Sequence, residues 1–212
     1  MRPMRLLLIW LAVWVLASAQ VPDLHLVGGR FAPLTYDQLT PEQKAMADNL
    51  LSGERKGLPG PFNALLRSPE LGDAAQKLGA QVRFHSSLPR RLNEFAILIT
   101  ARFWSAQYEW FAHRRLALAA GLAPALIDSL AAGRKPAPMQ PDEEIVYNFA
   151  DQLLKTHQVS DAAYQAMADK FGERGAVDLT GVMGYYCLVS MLLNVDQYPL
   201  PNGEKPQLKP LP

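Results

Sequence analysis

The chain has 212 residues, enough for one well-cored domain, and its 49% hydrophobic and 19% charged content is that of an ordinary globular protein, not a disordered one. Lys and Arg total 21 against 20 Asp and Glu, a formal net charge of +1, so no basic field exists to draw in nucleic acid or anionic lipid. A single cysteine, Cys187, excludes an internal disulfide, and its apolar setting, GYYCLVSMLLN, reads as a buried, inert thiol.

The N-terminus carries Arg2 and Arg5, an apolar run from Leu6 to Leu16, and then Ala17-Ser18-Ala19, small residues of the kind a signal peptidase reads. The run of about 11 apolar residues falls short of the roughly 20 that span a bilayer, so residues 1–19 are expected to be a cleaved leader. The mature chain is then expected in the periplasm or secreted, with no membrane span left after cleavage. Residues 20–39 hold Pro22, Gly28, Gly29 and Pro33 without periodicity and read as an irregular arm.

Thr40-Pro41-Glu42-Gln43 combines a capping residue, a proline suited to the first helical position and a glutamine that can close a capping box, predicting a helix that stops near Gly53. GLPGP, residues 57–61, breaks the chain before a short apolar FNALL. Ser68-Pro69-Glu70 opens a helix to about His85, with Leu71, Ala74, Ala75, Leu78 and Val82 expected on its core face. The next helix starts at Pro89 and keeps the helical period through Leu92, Phe95, Ala96, Ile99 and Phe103; Gly121 is its expected C-terminal cap.

Unbroken from Pro89 to Ala120, that helix would be long by globular norms and would hold Glu94 and His113 about 28 Å apart. If the two cooperate the helix must break, and Trp104-Ser105-Ala106-Gln107 is where a break is expected. A short helix around Pro124 to Leu130 and the proline-marked linker AGRKPAPMQP follow. Pro141-Asp142-Glu143-Glu144 sets carboxylates in the first turn of a helix that runs to about His157 through Val146, Phe149, Ala150, Leu153 and Leu154. Ser160 should cap a helix ending near Gly172, and a last one should run from Glu173 to Asp196, apolar on most faces, as a buried central or oligomer-interface helix. Past Tyr198 the Pro-rich tail, residues 199–212, is expected to be extended and poorly ordered. With no stretch alternating at period two, the chain is all-α, of roughly seven or eight helices.

Chemistry concentrates between Glu94 and Gly121. Glu109 and His113 are spaced i,i+4 and share a helix face, where a carboxylate raises the imidazole pKa and fixes the ring as a general acid/base pair. The same spacing describes an ion pair on a solvated face, and the residues alone do not choose. As metal ligands, Glu109 and His113 would need a third such as His85, and two helical ligands are too few for a site; no metal and no cofactor are expected. His25 and His157 read as surface histidines, and His85 as a helix C-terminal dipole partner.

Three ordered segments, PGPFNALLRSPELG, LPRRLNEFAILITARFWSAQYEWFAHRRLALAAGL and GERGAVDLTGVMGYYCLVSMLLNVDQYPLP, resemble the carboxymuconolactone decarboxylase-like proteins, which share the alkylhydroperoxidase D fold. The resemblance runs from about Pro61 to Pro201 and implies one such helical domain over residues 40–198. In the redox-active members a Glu is followed twelve residues later by Cys-x-x-Cys, and a His stands four residues after the second Cys. Glu94 and His113 match the Glu and the His, but the cysteine positions are Ala106 and Glu109, so thiol peroxidase chemistry lacks its nucleophile.

The decarboxylase branch works without cysteines. The resemblance therefore implies acid/base lyase or isomerase chemistry on a small organic carboxylate or lactone, with His113 as proton shuttle and Glu109 or Glu94 as its base. Arg91 or Arg102 would clamp a substrate carboxylate, and Trp104, Tyr108 and Trp110 would form an aromatic wall. The alternative is a non-catalytic binding or assembly protein on the same scaffold. Related proteins form trimers or trimer-based hexamers, so a homo-oligomer is expected.

Overall fold

The computed structural model describes residues 21–209; the expected leader, residues 1–19, lies outside the described residues. Eight α-helices, a short 3-10 turn at Tyr36–Gln38 and no strand are found among them: α1 (Pro41–Ser52), α2 (Phe62–Leu65), α3 (Pro69–Phe84), α4 (Arg90–Phe103), α5 (Gln107–Ala119), α6 (Pro124–Ala131), α7 (Pro141–Thr156) and α8 (Asp161–Asp196). Prolines at the first turn open α1, α3, α6 and α7, where the missing N–H costs no intrahelical bond. At α1 the capping box closes as expected: Gln43 N donates to Thr40 Oγ1 at 3.3 Å and Thr40 N to Gln43 Oε1 at 2.9 Å.

The bundle is built around α4, which packs against α5, α6, α7 and α8. Every residue from Leu92 to Arg102 is buried, so this helix has no solvent face over three turns. Such a helix can carry polar groups only where neighbours satisfy them. Asn93 gives its Nδ2 hydrogen to Val82 O at 3.0 Å, and Thr100 bonds back to Ala96 O at 2.9 Å.

The long helical pattern does break where expected. Trp104 caps α4, Ser105 takes a positive φ of 49°, and Ala106 caps the start of α5. Ala106 N bonds to Ala101 O at 2.9 Å, closing the reversal that folds α5 back along α4. Gly121, with φ 90°, ends α5.

One expectation is corrected. On α3, Leu71 and Leu78 are half exposed, and the buried face is Gly72, Ala75, Gln76, Gly79 and Val82. The helix turns its glycines inward because a Cβ at Gly72 would strike Met46, and one at Gly79 the Tyr185 hydroxyl. The two expected helices after Ser160 are both present, joined end to end as α8 and parted where expected, at Gly172, whose φ 72° and ψ 169° are non-helical and open essentially to glycine. Beyond the kink, Leu179, Val182, Tyr186, Val189 and Leu193 are buried, while Val177, Gly184, Met191 and Val195 face outward. By length and composition α8 could cross a membrane, yet half of its apolar window is buried inside the bundle.

Arm and tail are both fastened. Asp196, itself buried, accepts from Gly29 N at 3.1 Å and Phe31 N at 2.8 Å, and its carbonyl accepts from Arg30 N at 2.7 Å. The tail is extended, as expected, but anchored: Leu208 is buried, Gln107 Nε2 donates to Leu208 O at 2.6 Å, and Gln107 Oε1 accepts from Gln207 N and Leu208 N, each at 3.1 Å. These contacts from one glutamine side chain clamp the tail, which proline content alone does not reveal.

Candidate active site

Folding α5 back along α4 brings Glu94, nineteen residues earlier in the chain, onto His113. The imidazole is held from both sides: Nδ1 lies 2.6 Å from Glu94 Oε2 and Nε2 lies 3.0 Å from Glu109 Oε1. All three side chains are buried, His113 at 4% exposure. The Tyr186 ring meets the imidazole edge-on with centroids 5.0 Å apart, which leaves the ring no freedom to turn. Both ring nitrogens face carboxylate oxygens, so the imidazolium form donates two charge-assisted hydrogen bonds. Burial opposes that charge, but the Glu109 carboxylate and the hydrogen bonds from Glu109 and Glu94 outweigh it and carry the His113 pKa up to about 9.

Glu109 and His113 face a cleft of about 430 Å³, within the range of small-molecule sites. Its other walls include Arg55, Arg83, Arg115, Tyr108, Tyr185 and Tyr186. Glu94 stands behind the imidazole and borders a separate cavity of about 300 Å³, with Arg83, Arg90 and Asn93. The three groups thus divide into a front pair that a ligand can touch and a rear carboxylate that holds the ring. Because the two carboxylates address opposite ring nitrogens, they do not converge on a point where one ion could sit. Among the described residues no cluster of metal-ligating side chains is found, and His85 pairs with Glu54 at 2.7 Å, away from His113.

Of the five expected substrate contacts, Tyr108 alone lines the cleft; its ring lies tilted against Tyr198 with centroids 4.3 Å apart, and burial, with Tyr198 beside it, pushes its hydroxyl well above the usual range. The expected carboxylate clamps are corrected. Arg91 is held by Asp142 at 2.7 Å and by Glu143, tying α4 to α7. Arg102 gives its Nη1 hydrogen to Lys209 O at 2.7 Å and borders a different small cavity beside Phe103 and Tyr147. Trp110 is wholly core, and Trp104 sits at the α4–α5 break, its carbonyl accepting from Asn194 Nδ2 at 2.8 Å. Neither tryptophan borders the cleft.

The cleft's own arginines and the Tyr185-Tyr186 pair went unread in the sequence. Arg55 and Arg83 come from a loop and a helix end far from residues 94–121. The two tyrosines were a usable signal: hydroxyls in an apolar helix need a polar destination.

No family model matches the chain, and no curated protein does. Solved structures do. The AhpD core of an uncharacterised peroxidase-related protein from Ralstonia eutropha JMP134 superposes with a TM-score of 0.67 over 84% of this chain and 94% of that one, at 16% identity. An AhpD-type protein of unknown function from Agrobacterium tumefaciens gives 0.58 over 67% of this chain and 99% of that one, at 18% identity. At such identities the likeness carries architecture and not activity. The all-helical architecture of the chain is the helical fold of the AhpD core.

Proposed function

We propose that the chain is a cofactor-independent lyase or isomerase that moves a proton on a small organic acid or lactone bound in the cleft beside Glu109 and His113. The observation that carries this reading is the buried imidazole between two carboxylates, with only the Glu109 side open to the cleft. An imidazolium there is an acid already in place, and Glu109, sharing the Nε2 proton, is the base that receives or returns it. Glu94 touches no ligand space on that side and acts as a positioning residue. Cys187 stands apart from the cleft lining, and burial raises its thiol pKa, so peroxidase chemistry of the cysteine-pair type has no reactive thiolate at this site.

The test is proton exchange at carbon. Small lactone acids and β-keto acids incubated with the protein in D2O should gain deuterium or lose CO2, and His113→Ala should slow this by about 10²-fold or more. Unchanged turnover in His113→Ala and Glu109→Gln refutes the assignment. Ligand binding without any exchange would make the protein a binding module instead.

We further propose that the chain is exported after loss of residues 1–19 and that copies associate. The outward apolar residues of α8, Val177, Met191 and Val195, with Leu71 and Leu78 on α3, support association, since solvent-facing apolar residues in register along a helix mark contact surfaces.

A further inference from the structure

Arg55, in the loop between α1 and α2, and Arg83, in the last turn of α3, converge on one aromatic ring: their guanidinium carbons lie 5.8 and 5.2 Å from the Phe84 centroid. Arg55 also stacks over Phe62 at 5.2 Å and points Nη2 at Tyr185 Oη, 3.4 Å away. Its Nε is buried without a partner. Among the described residues neither guanidinium forms an ion pair: Glu54, next to Arg55 in the chain, pairs with His85, and Glu109, in the same cleft, pairs with His113. Two like charges gathered at one ring repel each other, and an anion bound between them would relieve that repulsion. The backbone makes room for it as well. A Cβ at Gly79 would collide with Tyr185 Cζ and Oη and press on Arg55 Nη2, so glycine at this position lets the hydroxyl and the guanidinium meet against α3.

We propose that Arg55, Arg83 and the Tyr185 hydroxyl form an oxyanion subsite of the cleft, which takes the acidic group of the ligand, a carboxylate or a phosphate, while its reacting atoms face Glu109 and His113. This deepens the proton-transfer reading and rests on it for the second half of the statement only. Arg supplies a planar fork that binds two oxygens of one acid, and a hydroxyl adds a third donor. The subsite therefore selects for charge and bidentate shape, and the cleft beside His113 selects for the rest of the molecule.

Calorimetric titration with malonate, inorganic phosphate and the neutral dimethyl malonate tests it on the full mature chain. The wild type should bind at least one of the two anions and not the diester. Arg55→Gln and Arg83→Gln should each weaken that binding about tenfold or more, as loss of a charge-assisted pair does. Gly79→Ala should weaken it too, by displacing Tyr185 and Arg55. Tighter malonate binding assigns the site to organic acids; tighter phosphate binding assigns it to phosphorylated ligands and would remove the carboxylate from the proposed function. Equal binding of the diester, no binding of either anion at millimolar concentration, or Arg55→Gln and Arg83→Gln binding within twofold of wild type each overturn the subsite. The diester comparison uses the wild type alone and holds even if a variant fails to fold. Anion binding that depends on Arg55 alongside deuterium exchange indifferent to His113→Ala would keep the subsite and discard the proton-transfer reading.

Discussion

Replacing His113 by Asn puts the central group to a quantitative test. In the folded state its proton is held up to about pH 9, against the usual 6.5, because two carboxylates face it in a buried place. At 1.36 kcal/mol per unit this difference corresponds to about 3 kcal/mol of stability. The folded state binds this proton more tightly than the unfolded chain does. The contribution is thus fully present below pH 6.5 and is lost as pH rises through about 9. In the variant Glu94 and Glu109 are left buried without their common partner, a loss of about 3–5 kcal/mol near neutrality.

Urea unfolding of wild type and variant, from below pH 6.5 to above pH 9, supplies the assay. The stability gap between them should shrink by about 3 kcal/mol across that window. Taking the difference cancels the tyrosines and lysines that titrate in both proteins. A gap that stays constant with pH would mean that His113 is not protonated between the carboxylates, and the acid/base reading would lose its starting state. Glu109→Gln, a milder change, should move the wild-type loss to lower pH, because the charge that most raises His113 is gone.

Other predictions concern the frame. Asp196→Ala orphans the amides of Gly29 and Phe31 and should cost about 1–3 kcal/mol, releasing the arm to proteolysis near Gly28 while the bundle stays folded; an arm as resistant as in wild type would show that other contacts hold it. Ser105 sits at φ 49°, so thermal unfolding should place Ser105→Gly at or above the parent in stability and Ser105→Val below it by about 1–2 kcal/mol. If Ser105→Val were as stable as the parent, the reversal would not be constrained there. Light scattering at micromolar concentration should find an oligomer, and Val177→Glu on α8, more than two-thirds exposed here, should dissociate it. A wild-type monomer refutes the association.

The features legible in the chain alone are local ones. Prolines that lack an N–H can begin a helix but not continue it, so Pro41, Pro69, Pro124 and Pro141 mark starts in the chain and in the structure alike. Glu109 and His113 share a face because 3.6 residues make a turn, whatever packs on it. The break near Ser105 was legible because the pattern was too long, and Glu94 could reach His113 only through it. Packing settled the rest. Which face of α3 points inward depends on Met46 and Tyr185, residues of other helices, so an apolar count chose Leu71 and Leu78 wrongly. An arginine's partner is chosen by whatever carboxylate the fold brings near. Asp142 and Glu143 claim Arg91, and the tail carbonyl of Lys209 claims Arg102. Arg55 and Arg83 are carried to the cleft from segments that showed no chemistry of their own. Backbone periodicity is a property of neighbours along the chain, whereas charge pairing and cleft walls are made by neighbours in space, and only the packed bundle specifies those.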